Sequence, residues 1–93
     1  MDTEEIKKIW IDKSNRLCIQ PQTVTFEMIY RSAMGVYWDA SKNCLYPLSV
    51  GSWSPSQWYH QIVSAVKDEY KYQLCITNIT QWENIDETIY YHD

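Results

Sequence analysis

Glycine is almost missing from this chain. Gly35 and Gly51 are its only two in 93 residues, too few for a Gly-rich phosphate loop. With three prolines, the composition also excludes a low-complexity segment or a long flexible linker. The two histidines, His60 and His92, fall short of the roughly four ligands at defined spacing that a zinc site needs, so neither a metal nor any other cofactor is expected. The three cysteines, Cys18, Cys44 and Cys75, contain no C-x-x-C pair. Each sits beside apolar residues in a strand-like run, which points to inert thiols in a reducing compartment. No apolar run approaches the roughly 20 residues of a membrane span. The opening MDTEEIKKIWID has neither the basic start nor the apolar stretch of a secretory signal. A cytoplasmic protein without membrane association is the expectation.

Positive charge is missing from one end. After Lys71 there is no Lys or Arg, while Glu83, Asp86, Glu87 and Asp93 remain, in a chain of net charge −4. Nucleic-acid binding is disfavoured, because it relies on cations that displace counterions from phosphates. An acidic end can speed encounter with a basic partner, or simply keep the chain soluble. Five Trp and eight Tyr stand against a single Phe. These rings either fill a small core or form a binding surface, where Trp and Tyr concentrate.

The clearest stretch runs from Ser52 to Ile79. Ser54, Pro55 and Gln57 spell a capping box with proline at the first helical position. Trp58, Ile62, Ala65, Val66 and Tyr70 then recur at spacings of three and four, one buried face of a helix widened by Tyr59 and Val63. Tyr72, Leu74 and Ile76 alternate with polar or small residues as a strand. The remainder reads as two similar hairpins. IWIDKSNRLCIQP and WDASKNCLYPL each run strand, Asp-led turn, strand, proline. Asp12 and Asp39 are expected to bond their own turns rather than act as acid or base. Between the hairpins, Phe26, Ile29, Tyr30, Ala33 and Met34 have helical spacing, with Thr23 or Thr25 as cap and Gly35 at the end. Residues 1–5 are expected to fray. Thr80 to Asn84 suits a loop or a short edge strand, and Ile85 to Tyr91 a last helical turn.

These patterns predict one α+β domain over residues 1–93. Its order is β-β-α-β-β-α-β: a mainly antiparallel sheet of about five strands with two helices on one face. Without a catalytic motif, the chain reads as a binding protein and not an enzyme. The candidate partner-binding residues form two groups. Trp53, Tyr59 and His60 surround the start of the main helix; Trp82, Glu83, Asp86 and Glu87 follow the last strand. Both suit protein recognition, although Trp53 and Trp82 equally suit lids over the ends of the core.

IWIDKSNRLCIQP, the YWD…LYP hairpin and WSPSQWYHQIVSAVKDEY together resemble two kinds of small bacterial protein: immunity proteins of polymorphic toxin systems, and proteins of integron gene cassettes. The first resemblance implies an inhibitor that plugs a basic toxin domain, its acidic face standing in for phosphates. The alternative is a small-molecule-binding module whose Trp and Tyr line a cleft. A homodimer through an exposed strand edge is also compatible.

Overall fold

The computed structural model describes residues 1–85. Its elements in chain order are β1 (Asp2–Ile11), β2 (Leu17–Pro21), a 3-10 turn (Ile29–Ser32), β3 (Val36–Asp39), β4 (Cys44–Pro47), α1 (Pro55–Tyr70), β5 (Tyr72–Cys75) and β6 (Gln81–Glu83). The six-stranded sheet has the order β3-β4-β2-β1-β5, with β6 also paired to β1. β1 is antiparallel to β2 on one side. On its other side β5 and β6 both run parallel to it, β5 along Asp2–Glu5 and β6 along Lys8–Trp10. α1 packs on the sheet from β4 across to β5, and on the 3-10 turn. Ile6, Ile9, Ile19, Phe26, Leu45, Ile62 and Val66 are wholly buried between these layers.

The main helix forms as its sequence dictates. Ser54 Oγ accepts from the Gln57 backbone N–H at 3.2 Å, and Gln57 Oε1 accepts from the Ser54 N–H at 2.8 Å. Trp58, Ile62, Ala65 and Val66 are its buried residues, and the helix stops at Lys71 in the left-handed region. Both Asp-led turns form as well. Asp12 accepts the backbone N–H of Ser14 and of Arg16, each at 2.9 Å. Asp39 accepts those of Ser41 at 2.9 Å and Lys42 at 3.2 Å.

Three expectations need correction. Residues 1–5 do not fray; Asp2 to Glu5 are strand, held by the parallel ladder to β5. The register of β1 on β2 shifts between Ile6 and Lys8. This bulge changes the phase of the strand, so Glu4 and Ile6 face the core before it and Ile9 after it. A strictly alternating reading cannot place all three inside.

The second helix, expected across Phe26 to Met34, is only the four-residue 3-10 turn, so one helix packs on the sheet instead of two. One of its two candidate caps, Thr23, is engaged elsewhere. Thr23 gives both its backbone N–H (2.6 Å) and its hydroxyl (3.0 Å) to the Glu4 carboxylate, which also accepts the Val24 N–H at 2.9 Å. Phe26 is held edge-on against Trp38, Tyr70 and Tyr72. The Met28 N–H donates to the Tyr70 hydroxyl at 2.8 Å. Anchored to the sheet, the aromatic cluster and the helix, the segment has no length left for helical turns.

The sheet is mixed, not antiparallel. α1 spans the sheet as a crossover, the long connection that parallel strands require. After β5 the chain turns at Thr77–Thr80, where Thr80 Oγ1 donates to the Ile6 carbonyl at 2.7 Å. It then rejoins β1 as β6, so Thr80 to Asn84 contains the edge strand and not only a loop. The helical turn expected over residues 85–91 lies outside the described residues from Asp86 onward.

Candidate functional site

Beyond the bulge, β1 turns Ile9 to the core and Trp10 to the opposite face of the sheet, the face away from α1. Glu83 of β6 is the register partner of Trp10. Together with the first hairpin turn they frame a cleft of about 520 Å³, whose lining includes Trp10, Asp12, Lys13, Arg16, Lys42 and Glu83. That volume falls within the range of small-ligand sites.

One wall is preorganised. Arg16 Nε donates to Asp12 Oδ2 at 2.9 Å, and its guanidinium carbon stands 4.7 Å from the centre of the Tyr46 ring. Stacking and a carboxylate partner together fix a long side chain that would otherwise be mobile. Burial pushes the Asp12 carboxyl up, but the hydrogen bonds and charge of Arg16 and the Ser14 amide prevail and hold it below its ordinary value. On the other wall, Lys8 Nζ lies 5.2 Å from the Trp10 ring centre and 3.5 Å from Glu83 Oε1. Lys13 and Lys42 come from the two Asp-led turns, so with Arg16 the cleft gathers three cations against the two carboxylates of Asp12 and Glu83, in a chain of net charge −4.

A second, shallower groove of about 330 Å³ runs along the start of α1. It is lined by Trp53, Gln57, His60, Gln61 and Ser64. Trp53 is 40% exposed and its ring lies 4.8 Å from that of Trp58.

The expected site residues therefore separate. Trp53 and His60 share the α1 groove. Tyr59 packs against the core, where burial pushes its phenol up to about 12. Trp82 also packs against the core, beside Ile9. Glu83 lines the Trp10 cleft and is paired with Lys8, while Asp86 and Glu87 lie outside the described residues. Trp10, Lys13, Arg16 and Lys42 were not singled out by the sequence patterns. Their one signal was the repeated Asp-led turn, which puts a lysine in each loop.

Residues 4–80 match the profile of the family described as Integron Cassette Protein Hfx_Cass5. The chain belongs to this family. A solved structure titled "Structure from the mobile metagenome of North West Arm Sewage Outfall: Integron Cassette Protein Hfx_Cass5" is 31% identical, with a TM-score of 0.53 over 96% of this chain and 89% of that one. A comparison with curated proteins finds no match. The integron-cassette half of the resemblance thus holds; the family description names no activity and says nothing of immunity. Among the described residues of this integron cassette protein, no helix is long and apolar enough to cross a membrane.

Proposed function

We propose that this integron cassette protein is a binding protein, not an enzyme, and that the Trp10 cleft takes a small organic anion. The observation that carries this reading is the convergence of Lys13, Arg16 and Lys42 on one cleft with an aromatic wall. A planar or short-chain carboxylate or phosphate ester would lie against the Trp10 ring, its anionic group toward Lys13 and Lys42 beside the Asp12-paired Arg16. Binding is favoured over acid–base chemistry because the described residues of the lining include neither histidine nor cysteine. Asp12, the best-placed carboxylate, is committed to Arg16 and to its own turn.

A protein partner is the second reading. It rests on the exposed ring of Trp53 beside His60, since an exposed tryptophan over a groove suits an interface anchor. The acidic-mimic form of an immunity protein draws less support, because Glu83 is neutralised by Lys8. Calorimetric titration with small carboxylates and phosphate esters tests the first reading. Micromolar to millimolar binding that weakens with salt, and is lost in the Lys13→Ala/Lys42→Ala double variant, supports it. Heat from none of the anions, in a folded protein, overturns it in favour of the partner reading.

A further inference from the structure

The Trp10 cleft is not uniformly cationic. Lys13 and Lys42 stand in the two Asp-led turns, whereas Trp10 and Glu83 stand side by side as a register pair of β1 and β6. The Trp10 ring and the Glu83 carboxylate already share one guest, the Lys8 ammonium. Its Nζ lies 5.2 Å from the ring centre and 3.5 Å from Glu83 Oε1. An aromatic face beside a carboxylate is the combination that recognises an ammonium, the ring through its quadrupole and the carboxylate through its charge. Lys8 is held there loosely. Its side chain is one-third exposed and that of Glu83 about half, and an ion pair so open to water contributes little. Asn84 also lines the cleft and gives its amide NH₂ to the Ile11 carbonyl at 3.4 Å, which leaves its side-chain oxygen as an acceptor. Asp12, by contrast, is engaged by Arg16.

We infer that the ligand of this cleft is dipolar: an amine-bearing carboxylate or phosphate ester whose ammonium replaces Lys8 between Trp10 and Glu83. The inference rests on the anion reading above and adds a second pole to it. The anionic group goes to Lys13 and Lys42. The ammonium goes to the Glu83 carboxylate, the Asn84 oxygen and the Trp10 ring, while Lys8 moves out into solvent. In the free protein Lys8 thus neutralises the ammonium subsite and competes with the ligand for it. Glu83 is what sets the preference. A simple anion meets Glu83 as a like charge, whereas a dipolar ligand meets it as a partner, so one carboxylate both attracts the right ligand and repels the wrong one.

The test titrates the full chain at pH 7 with matched probes and follows the Trp10 indole N–H signal. The pairs are β-alanine with propionate, γ-aminobutyrate with butyrate, and phosphoethanolamine with ethyl phosphate. Within each pair only the ammonium differs. The amine-bearing probe of at least one pair should bind roughly tenfold more tightly than its partner. Glu83→Gln should abolish that preference, and Lys8→Met should widen it several-fold by removing the competitor. Lys7→Met removes the same charge at the exposed neighbouring position and should leave the preference as it is. Simple anions that bind as tightly as their amine-bearing partners would overturn the dipolar ligand and leave the anion reading standing. Binding of no probe from any pair would overturn both. A preference that survives Glu83→Gln, or that widens equally in Lys7→Met and Lys8→Met, would also overturn the inference, because the ammonium would then be recognised elsewhere or only through net charge.

Discussion

The Glu4 carboxylate holds Thr23 by two groups at once, the backbone N–H at 2.6 Å and the side-chain hydroxyl at 3.0 Å. Glu4 is 5% exposed and reaches the core side only because the bulge after Ile6 sets the phase of β1. A buried carboxylate persists when its lone pairs are satisfied, and here the Val24 amide adds a third donor. One acid thereby ties the first strand to the segment that leads into the 3-10 turn.

Replacing Glu4 by Gln should therefore cost about 2 kcal/mol, because the amide turns an NH₂ toward donors that need acceptors. Urea unfolding of Glu4→Gln beside wild type measures this directly. Glu5→Gln, at an exposed position on the opposite face, should change stability by much less. Equal effects from the two substitutions would contradict the anchoring role.

Asp12 should make stability depend on acid. Its folded carboxyl lies below its ordinary value of 3.8, so the native state favours the ionised form. The stabilisation is fully present above about pH 5 and is lost as pH falls through the folded value. The difference in unfolding free energy between wild type and Asp12→Asn should accordingly be largest at neutral pH and shrink toward pH 3. A difference that stays constant across this range would show that the turn hydrogen bonds, and not the charge, carry the effect.

Gly35 adopts φ +77°, and a Cβ built there would meet the Trp58 ring at 3.5 Å, ordinary contact distance. Gly51 has φ +63° with open space around it. Both alanine variants should lose about 1 kcal/mol, because the backbone conformation and not the neighbour sets the cost. Thermal unfolding of the two variants checks this. A much larger loss at Gly35 would mean that Trp58 cannot give way.

Local chemistry made much of this molecule legible. The capping box at Ser54, the apolar stripe from Trp58 to Val66, and both Asp-led turns depend on residues close in the chain, and each forms as its pattern dictates. What the patterns could not convey was long-range. The burial of Glu4 needs a donor set from residues 23 and 24, and the parallel direction of β5 and β6 depends on how α1 crosses the sheet. Helical spacing at Phe26, Ile29 and Tyr30 was real, yet the edge-on contacts of Phe26 with Trp38, Tyr70 and Tyr72 hold the start of that segment to the core. The site divided in a similar way. Trp53 and His60 lie together because they are close in sequence, whereas Trp10, Lys13, Arg16 and Lys42 converge only once two hairpins share a sheet. Tyr59 and Trp82 are aromatic for packing, a role that composition cannot separate from recognition.

The indole N–H signals of the five tryptophans offer the most direct test of the Trp10 cleft. A ¹H–¹⁵N spectrum, assigned by Trp→Phe variants, would be recorded while a small aromatic carboxylate such as benzoate, and then a phosphate ester, is added. The Trp10 signal should move in a saturable, salt-sensitive way while that of Trp53 stays in place. Movement of Trp53 with Trp10 unchanged, or no movement of either, would contradict a ligand site at Trp10.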